Sequence, residues 1–311
     1  MKLLVVGLDG FGAKHWHDFV NLPDWQTRTL HSPRPLSGPA WTSIYTGLTP
    51  EQHHVFDVWG RREDSSTHAD VKARCVWNVL YAQGVTCDIV GMPITWPASC
   101  VRPRFISGFW QGNFTHCCYP VDAEPEKFED YLSWMDAVWW TSNNPKECGG
   151  WVDKIVNCMT QQEFMQQLFT CTKLYVAHYI ATHEESDLGM IGLTFFDRAL
   201  HLAEVWGSYG DMVEELGGFG KMLIEKLRIA LKPEKMLVVS DHGFNAKGHT
   251  HDGILAAKDF SPLGKDEWMT WDIAPLVARV FDTDWPEHIG SYQIEEYELM
   301  KGRLRKLGYI S

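Results

Sequence analysis

The sequence predicts an α/β protein: a mostly parallel sheet flanked by helices, with a cap inserted at about residues 110–187. Three observations predict it. Short apolar runs alternate with segments of helical spacing. Polar clusters stand at the ends of several of those runs, where open α/β sheets place their ligands. From about Trp110 to Asp187 the alternation gives way, at first to an aromatic, cysteine-bearing stretch that reads as loop.

The elements follow in order. Leu3 to Leu8 is an apolar run ending in Asp9-Gly10, the pattern of a buried parallel strand. A helix is expected from about Ala13 to Val20, then a Pro- and Ser-rich loop from Ser32 to Pro39. Proline suits a first helical turn, so the next helix is expected to start near Pro39 and stop at Gly47. Asp70 to Gln83 carries Val71, Cys75, Val76, Val79 and Leu80 at helical spacing, and Val85 to Val90 reads as a strand. Within the cap, a long helix is expected over Gln161 to Ala181, with Thr160 and Glu163 at capping-box spacing. The α/β alternation returns with a strand from Gly189 to Phe196, a helix from Met212 to Leu231 and a strand from Met236 to Val239. A closing helix is expected over Glu295 to Leu307. The whole chain, 1–311, reads as one domain.

Composition narrows the function. A net charge of −12 over 311 residues disfavours nucleic-acid backbones and anionic membranes as partners. Small anionic substrates remain open, because bound cations invert the local sign. The first residues enter a strand directly and lack a signal-peptide pattern, and no segment has the apolar length of a membrane span. The expectation is a soluble, cytoplasmic protein. None of the eight cysteines forms a C-x-x-C pair, so free thiols are expected.

Four polar clusters carry chemistry. Asp9 ends the first strand; alone it reads equally as a helix-capping Asp. A dinucleotide reading of Gly10 and Gly12 fails because His15 stands where the third glycine belongs. Asp241 and His242 end the strand that closes at Val239, offering a hard oxygen and an imidazole. Asp197 and His201 are four apart, so a helix starting there points both to one face. His249 and His251 are two apart on an extended segment, and either or both face a metal. Ser37 opens a helix whose first N–H groups can hold an anion; alone it reads as a capping serine. Together, Asp9, Ser37, Asp197, His201, Asp241, His242 and a His from the last pair suit two three-ligand metal sites. A pair of ions about 4 Å apart clamps both oxygens of a phosphoryl displacement.

The order and wording of these clusters resemble the alkaline phosphatase superfamily, in particular its type I phosphodiesterase / nucleotide pyrophosphatase branch. The resemblance rests on Val6-Gly7-Leu8-Asp9-Gly10, on Ser37-Gly38-Pro39-Ala40-Trp41-Thr42-Ser43-Ile44-Tyr45-Thr46-Gly47, on Thr49-Pro50-Glu51-Gln52-His53 and on Phe56-Asp57. It continues through Asp197 and His201, Ser240-Asp241-His242-Gly243-Phe244, His249 with Gly253-Ile254-Leu255, and Trp271-Asp272-Ile273-Ala274-Pro275. It implies an alkaline phosphatase-like fold and a phosphodiesterase acting through a phospho-Ser37 intermediate. It implies one metal site from Asp9, Asp241 and His242 with Ser37 bridging, and a second from Asp197, His201 and His249. His249 is preferred to His251 for its spacing to Gly253. Two divalent ions are implied, zinc first, with manganese or iron as alternatives.

The chain departs from the pattern at two points. Many nucleotide pyrophosphatases place Thr where Ser37 stands and an Asn three residues on, where this chain has Ala40. A formylglycine sulfatase needs Arg two residues after the proline, where Trp41 stands. The absence of an extra cation beside the site favours diesters, with nucleotide diesters, linear or cyclic, as candidate substrates. Trp110, Trp139 and Trp140, with Phe114 and Tyr119, are candidate stacking surfaces in the cap. The alternatives are a phosphomonoesterase or phosphomutase on the same core, and a non-catalytic nucleotide-binding descendant. No large nucleic acid and no membrane is expected as partner.

Overall fold

A computed structural model of the protein describes residues 1–56, 71, 73–108, 117–120, 155–157, 159–265 and 267–285. The first strand is β1 (Leu3–Leu8), followed by a helical turn α1 (Ala13–His15) that continues as a π-turn to Val20. Next come β2 (Gln26–His31), α2 (Ser37–Thr46), α3 (Pro50–His53) and α4 (Val76–Ala82). Then follow β3 (Cys87–Met92), β4 (Pro103–Ser107), β5 (Cys118–Tyr119), α5 (Gln161–Thr182) and β6 (Leu188–Leu193). The second half holds α6 (Phe195–Trp206), α7 (Tyr209–Leu231), β7 (Lys235–Val239) and the hairpin strands β8 (Gly243–Asn245) and β9 (Gly248–Thr250). It ends with β10 (Asp252–Lys258), β11 (Trp268–Met269) and α8 (Ile273–Val280).

Nine strands form the sheet, in the order β11-β2-β10-β7-β1-β6-β3-β4-β5. The run β7-β1-β6-β3-β4 is parallel, and β10 lies antiparallel between β7 and β2. Side chains alternate in direction along a strand, so the central strands β1, β6 and β7 bury two apolar faces. Leu4, Val6 and Leu8 of β1 pack with Phe164, Leu168, Val176, Leu200 and Leu223 from α5, α6 and α7. Leu3 and Val5 point the other way, against Trp41, Tyr45, Trp77 and Leu276 from α2, α4 and α8.

The local expectations hold at most places, with three corrections. α2 starts at Ser37, two residues before Pro39, so Ser37 is itself inside the first turn; Gly47 ends the helix with φ +65°. The helix read over Asp70 to Gln83 is shorter, Val76–Ala82, because the turns before it are not helical among the described residues. β2 was not legible, since its mostly polar run Gln26-Thr27-Arg28-Thr29-Leu30-His31 imitates a loop. The capping box of α5 is present: Glu163 N–H donates to Thr160 Oγ1 at 3.3 Å and Thr160 N–H to Glu163 Oε2 at 2.8 Å. Most of the expected cap, including residues 121–150, and the expected closing helix from Glu295 lie outside the described residues. Cys87, Cys100 and Cys171 are free thiols, and among the described residues no helix is long and apolar enough to cross a membrane.

Candidate metal centre

Three adjacent central strands converge on one point. Asp9 follows β1, Asp197 sits in the first turn of α6 just after β6, and Asp241 with His242 follow β7. Gly10, at φ +74°, turns the chain so tightly that a Cβ there would lie 3.0 Å from the Asp197 Cβ. Gly10 N–H donates to Asp241 Oδ1 at 3.2 Å, tying the ends of β1 and β7 together. Ser240 locks the same corner: its Oγ accepts from Phe11 N–H at 2.9 Å and donates to the His242 carbonyl at 2.7 Å.

Two groups of three ligating side chains result, Asp9/Asp241/His242 and Asp197/His201/His249, each with its ligand atoms within 4.8 Å of one another. Asp9, Asp241 and His242 are buried; Asp197 is buried and the two histidines of its group are half-buried. His249 reaches the second group because the β8–β9 hairpin folds it back beside Phe244. His251 does not join; its Nδ1 contacts the Ser32 carbonyl at 2.7 Å. Ser37, 8 % exposed, donates from Oγ to Asp9 Oδ1 at 3.1 Å. The indole Nε1–H of fully buried Trp41 donates to the same oxygen at 3.3 Å.

These donors fit divalent cations. The His242 Nδ1 lies 3.0 Å from the Gly243 carbonyl, an acceptor, so that nitrogen carries the proton and Nε2 keeps its lone pair. That lone pair points at Asp241 Oδ2, 3.2 Å away, a repulsive contact unless a cation stands by. The Pro35 carbonyl holds His249 Nδ1 in the same way at 2.7 Å, and His249 Nε2 then faces His201 Nε2 at 3.0 Å and Asp197 Oδ1 at 3.2 Å. Asp9 Oδ2, Asp197 Oδ1, Asp241 Oδ2 and His242 Nε2 are all buried without a hydrogen bond. Such orphaned atoms are costly and are what a metal would satisfy.

Electrostatics point the same way. Burial, and then the charge of Asp197, push the Asp9 carboxyl up to about 7. Burial and the neighbouring Asp9 hold Asp241 well above the usual carboxylate range. Burial would also raise Asp197, but the surrounding imidazoles, His201 foremost, outweigh it and lower it. Burial and His249 lower His242 to about 4, which leaves a neutral imidazole near pH 7, the form that ligates metals.

Among the candidate stacking residues, Trp110, Phe114, Trp139 and Trp140 lie outside the described residues. Tyr119 is on the edge strand β5, with the Arg102 guanidinium 5.6 Å above its ring. Sequence reasoning missed Trp41 as a donor to Asp9 and the Pro35 carbonyl as the anchor of His249. Neither carries a pattern in sequence, since both contacts arise from how distant segments meet.

The profile of the type I phosphodiesterase / nucleotide pyrophosphatase family matches residues 3–287. The chain belongs to that family. Membership places it among phosphodiester hydrolases. No curated protein matches it. Solved structures share its fold at low identity. An inactive variant of murine ectonucleotide pyrophosphatase / phosphodiesterase 5, in complex with AMP, matches with TM-score 0.54 at 10 % identity, over 96 % of this chain and 99 % of that one. A further structure of the murine protein matches with TM-score 0.43 at 13 % identity, over 78 % of this chain and 57 % of that chain. Its human counterpart gives 0.50 at 12 % identity, over 96 % and 99 %.

Proposed function

We propose that the protein is a two-metal phosphodiesterase that cleaves small diesters through a phospho-Ser37 intermediate. The observation that supports it best is the pair of three-ligand clusters with Ser37 hydrogen-bonded to the Asp9 of one of them. Asp9, Asp241 and His242 would hold one ion, with Ser37 beside them, and Asp197, His201 and His249 the other, with zinc the preferred metal. When bound, the ions supply Lewis-acid stabilisation of the attacking and leaving oxygens. Ser37 Oγ forms the bond to phosphorus as the leaving alkoxide departs with a proton, and water then cleaves the phosphoserine. Pro39 has no N–H and the Ala40 N–H is taken by the Leu36 carbonyl at 3.1 Å. The first-turn N–H groups of Ser37 and Gly38 therefore replace the family Asn in binding a phosphate oxygen. The Trp41 side chain in place of the sulfatase Arg argues against sulfate-ester chemistry. AMP in the murine relative supports a nucleotide diester, linear or cyclic, as substrate.

A diester phosphate carries one negative charge, a monoester nearly two. Two cations and the first turn of α2 offset a single negative charge. The expected result is a kcat/KM for bis-nitrophenyl phosphate at least about tenfold above that for the mononitrophenyl ester, roughly 1.4 kcal/mol. A monoester preference would favour the phosphomonoesterase or phosphomutase reading.

Trp41→Phe tests how Asp9 is held. Phe keeps an aromatic ring in the buried site and removes the N–H that reaches Asp9 Oδ1. Loss of a group that orients a ligand typically costs about 10–100-fold in metal affinity or activity. The variant should bind zinc more weakly and lose kcat with KM little changed; unchanged zinc affinity would remove Trp41 from the account.

A further inference from the structure

A cleft lies beside α8, between that helix and the 260–265 loop. β7 opens with the lining residue Lys235 and closes at Val239, just before Asp241, so its five residues set Lys235 roughly 16 Å from the metal centre. The cleft encloses about 360 Å³, the size of a small-molecule pocket. Among the described residues, Lys235, Lys265 and Arg279 line it with one carboxylate, Asp272. Lys265 is paired with that carboxylate, while Lys235 and Arg279 have no carboxylate partner among the described residues. Over the described lining residues, three positive charges stand against one negative, in a chain whose net charge is −12.

The walls are also aromatic. Phe260 and Trp268 line the cleft, with Lys235 Nζ 5.5 Å from the first ring centroid and Lys265 Nζ 5.7 Å from the second. The loop that carries Phe260 and Lys265 is fixed from behind. Gln26 Nε2 donates to the Phe260 carbonyl at 2.8 Å, and its Oε1 accepts from Leu263 N–H at 3.1 Å. Arg28 Nε and Trp268 Nε1 both donate to the Lys265 carbonyl, at 3.2 and 2.9 Å. A pre-shaped wall lowers the ordering cost of binding. Surplus cations and aromatic faces in one cleft select for a ligand that is both flat and anionic.

We propose that this cleft is a second ligand site, for a flat aromatic anion carrying two negative charges. It is separate from the metal centre and does not depend on the phosphodiesterase reading. The test is calorimetric titration of the metal-loaded full chain with naphthalene-1,5-disulfonate, whose sulfonates are poor metal ligands. One molecule should bind per chain, at least about tenfold more weakly to Arg279→Glu and to Lys235→Met, roughly one lost charge contact each. Affinity should be retained in Lys221→Glu, a charge change on the exposed face of α7, and in Asp197→Asn at the metal centre. Arg279 is exposed on α8, so its variant is expected to fold; melting curves check both. No binding to the wild type would overturn the proposal. So would equal weakening by Lys221→Glu, affinity unmoved by both cleft variants, or loss in Asp197→Asn.

Discussion

Ser37→Ala is expected to lower kcat for a phosphodiester by roughly 10⁴-fold or more, about 5.5 kcal/mol of barrier, while metal content stays that of the wild type. The proposed mechanism has one nucleophile, the Ser37 hydroxyl at the head of α2. Its Oγ donates to Asp9 Oδ1 at 3.1 Å, and Trp41 donates to the same oxygen, so Asp9 keeps a donor when Oγ is removed. The six ligands are untouched, and a buried hydroxyl replaced by a methyl-sized group leaves α2 intact. Steady-state rates, metal analysis and circular dichroism on one preparation separate chemistry from folding. A variant turning over at the wild-type rate would replace covalent catalysis with direct attack by water.

Asp241→Asn is expected to act in opposite directions on activity and on metal-free stability. In the loaded enzyme it removes a ligand, and a loss of at least about 10³-fold in kcat/KM is expected. In the chelated protein it removes one of two buried carboxyls that repel each other. Asp9 is raised from 3.8 to about 7, so its contribution to stability is fully present below about pH 4 and is lost as pH rises through about 7. That difference corresponds to on the order of 4 kcal/mol. Asp241, raised as well, adds to the loss on the same side. His15, His53 and His242, each lowered to about 4, act with the opposite sign, gaining stability as pH rises towards 6.5. Comparing chelated wild type with chelated Asp241→Asn cancels His15 and His53, which the substitution does not touch. The wild type should lose melting temperature between pH 5 and 8 relative to the variant, and zinc should abolish that loss. Parallel melting profiles for the two chelated proteins would contradict the electrostatic account.

The site was legible where chemistry and backbone pattern coincide. Asp9 follows the apolar run Leu3–Leu8 and the Asp241-His242 pair stands one residue past the run from Met236 to Val239, where a charged side chain needs a partner. Asp197 and His201 share a face because Phe195–Trp206 is a helix, the condition their spacing had left open. Spacing alone left His249 and His251 open, because two residues two apart on an extended chain point the same way. The hairpin settles their geometry: His249 lies in β9 opposite Phe244, while His251 falls between β9 and β10. β2 was hidden by its polar side chains. It forms through ladder bonds to β10, a long-range pairing that local pattern does not carry. The Trp41 and Pro35 contacts were hidden for the same reason. Ser37 in the first turn, rather than before it, could have been read from Pro39, since proline is accepted anywhere in a helix's first turn.

The central claim is two metal ions held by Asp9, Asp241 and His242 on one side and by Asp197, His201 and His249 on the other. The most direct measurement is metal analysis of the protein purified without chelator and then equilibrated with zinc, alongside Asp197→Asn and Asp241→Asn. The account predicts two ions per chain in the wild type, a loss of about one in each variant, and a diesterase rate that falls with chelation and returns with added metal. A wild-type chain that binds no zinc, and whose rate is the same before and after chelation, would contradict it.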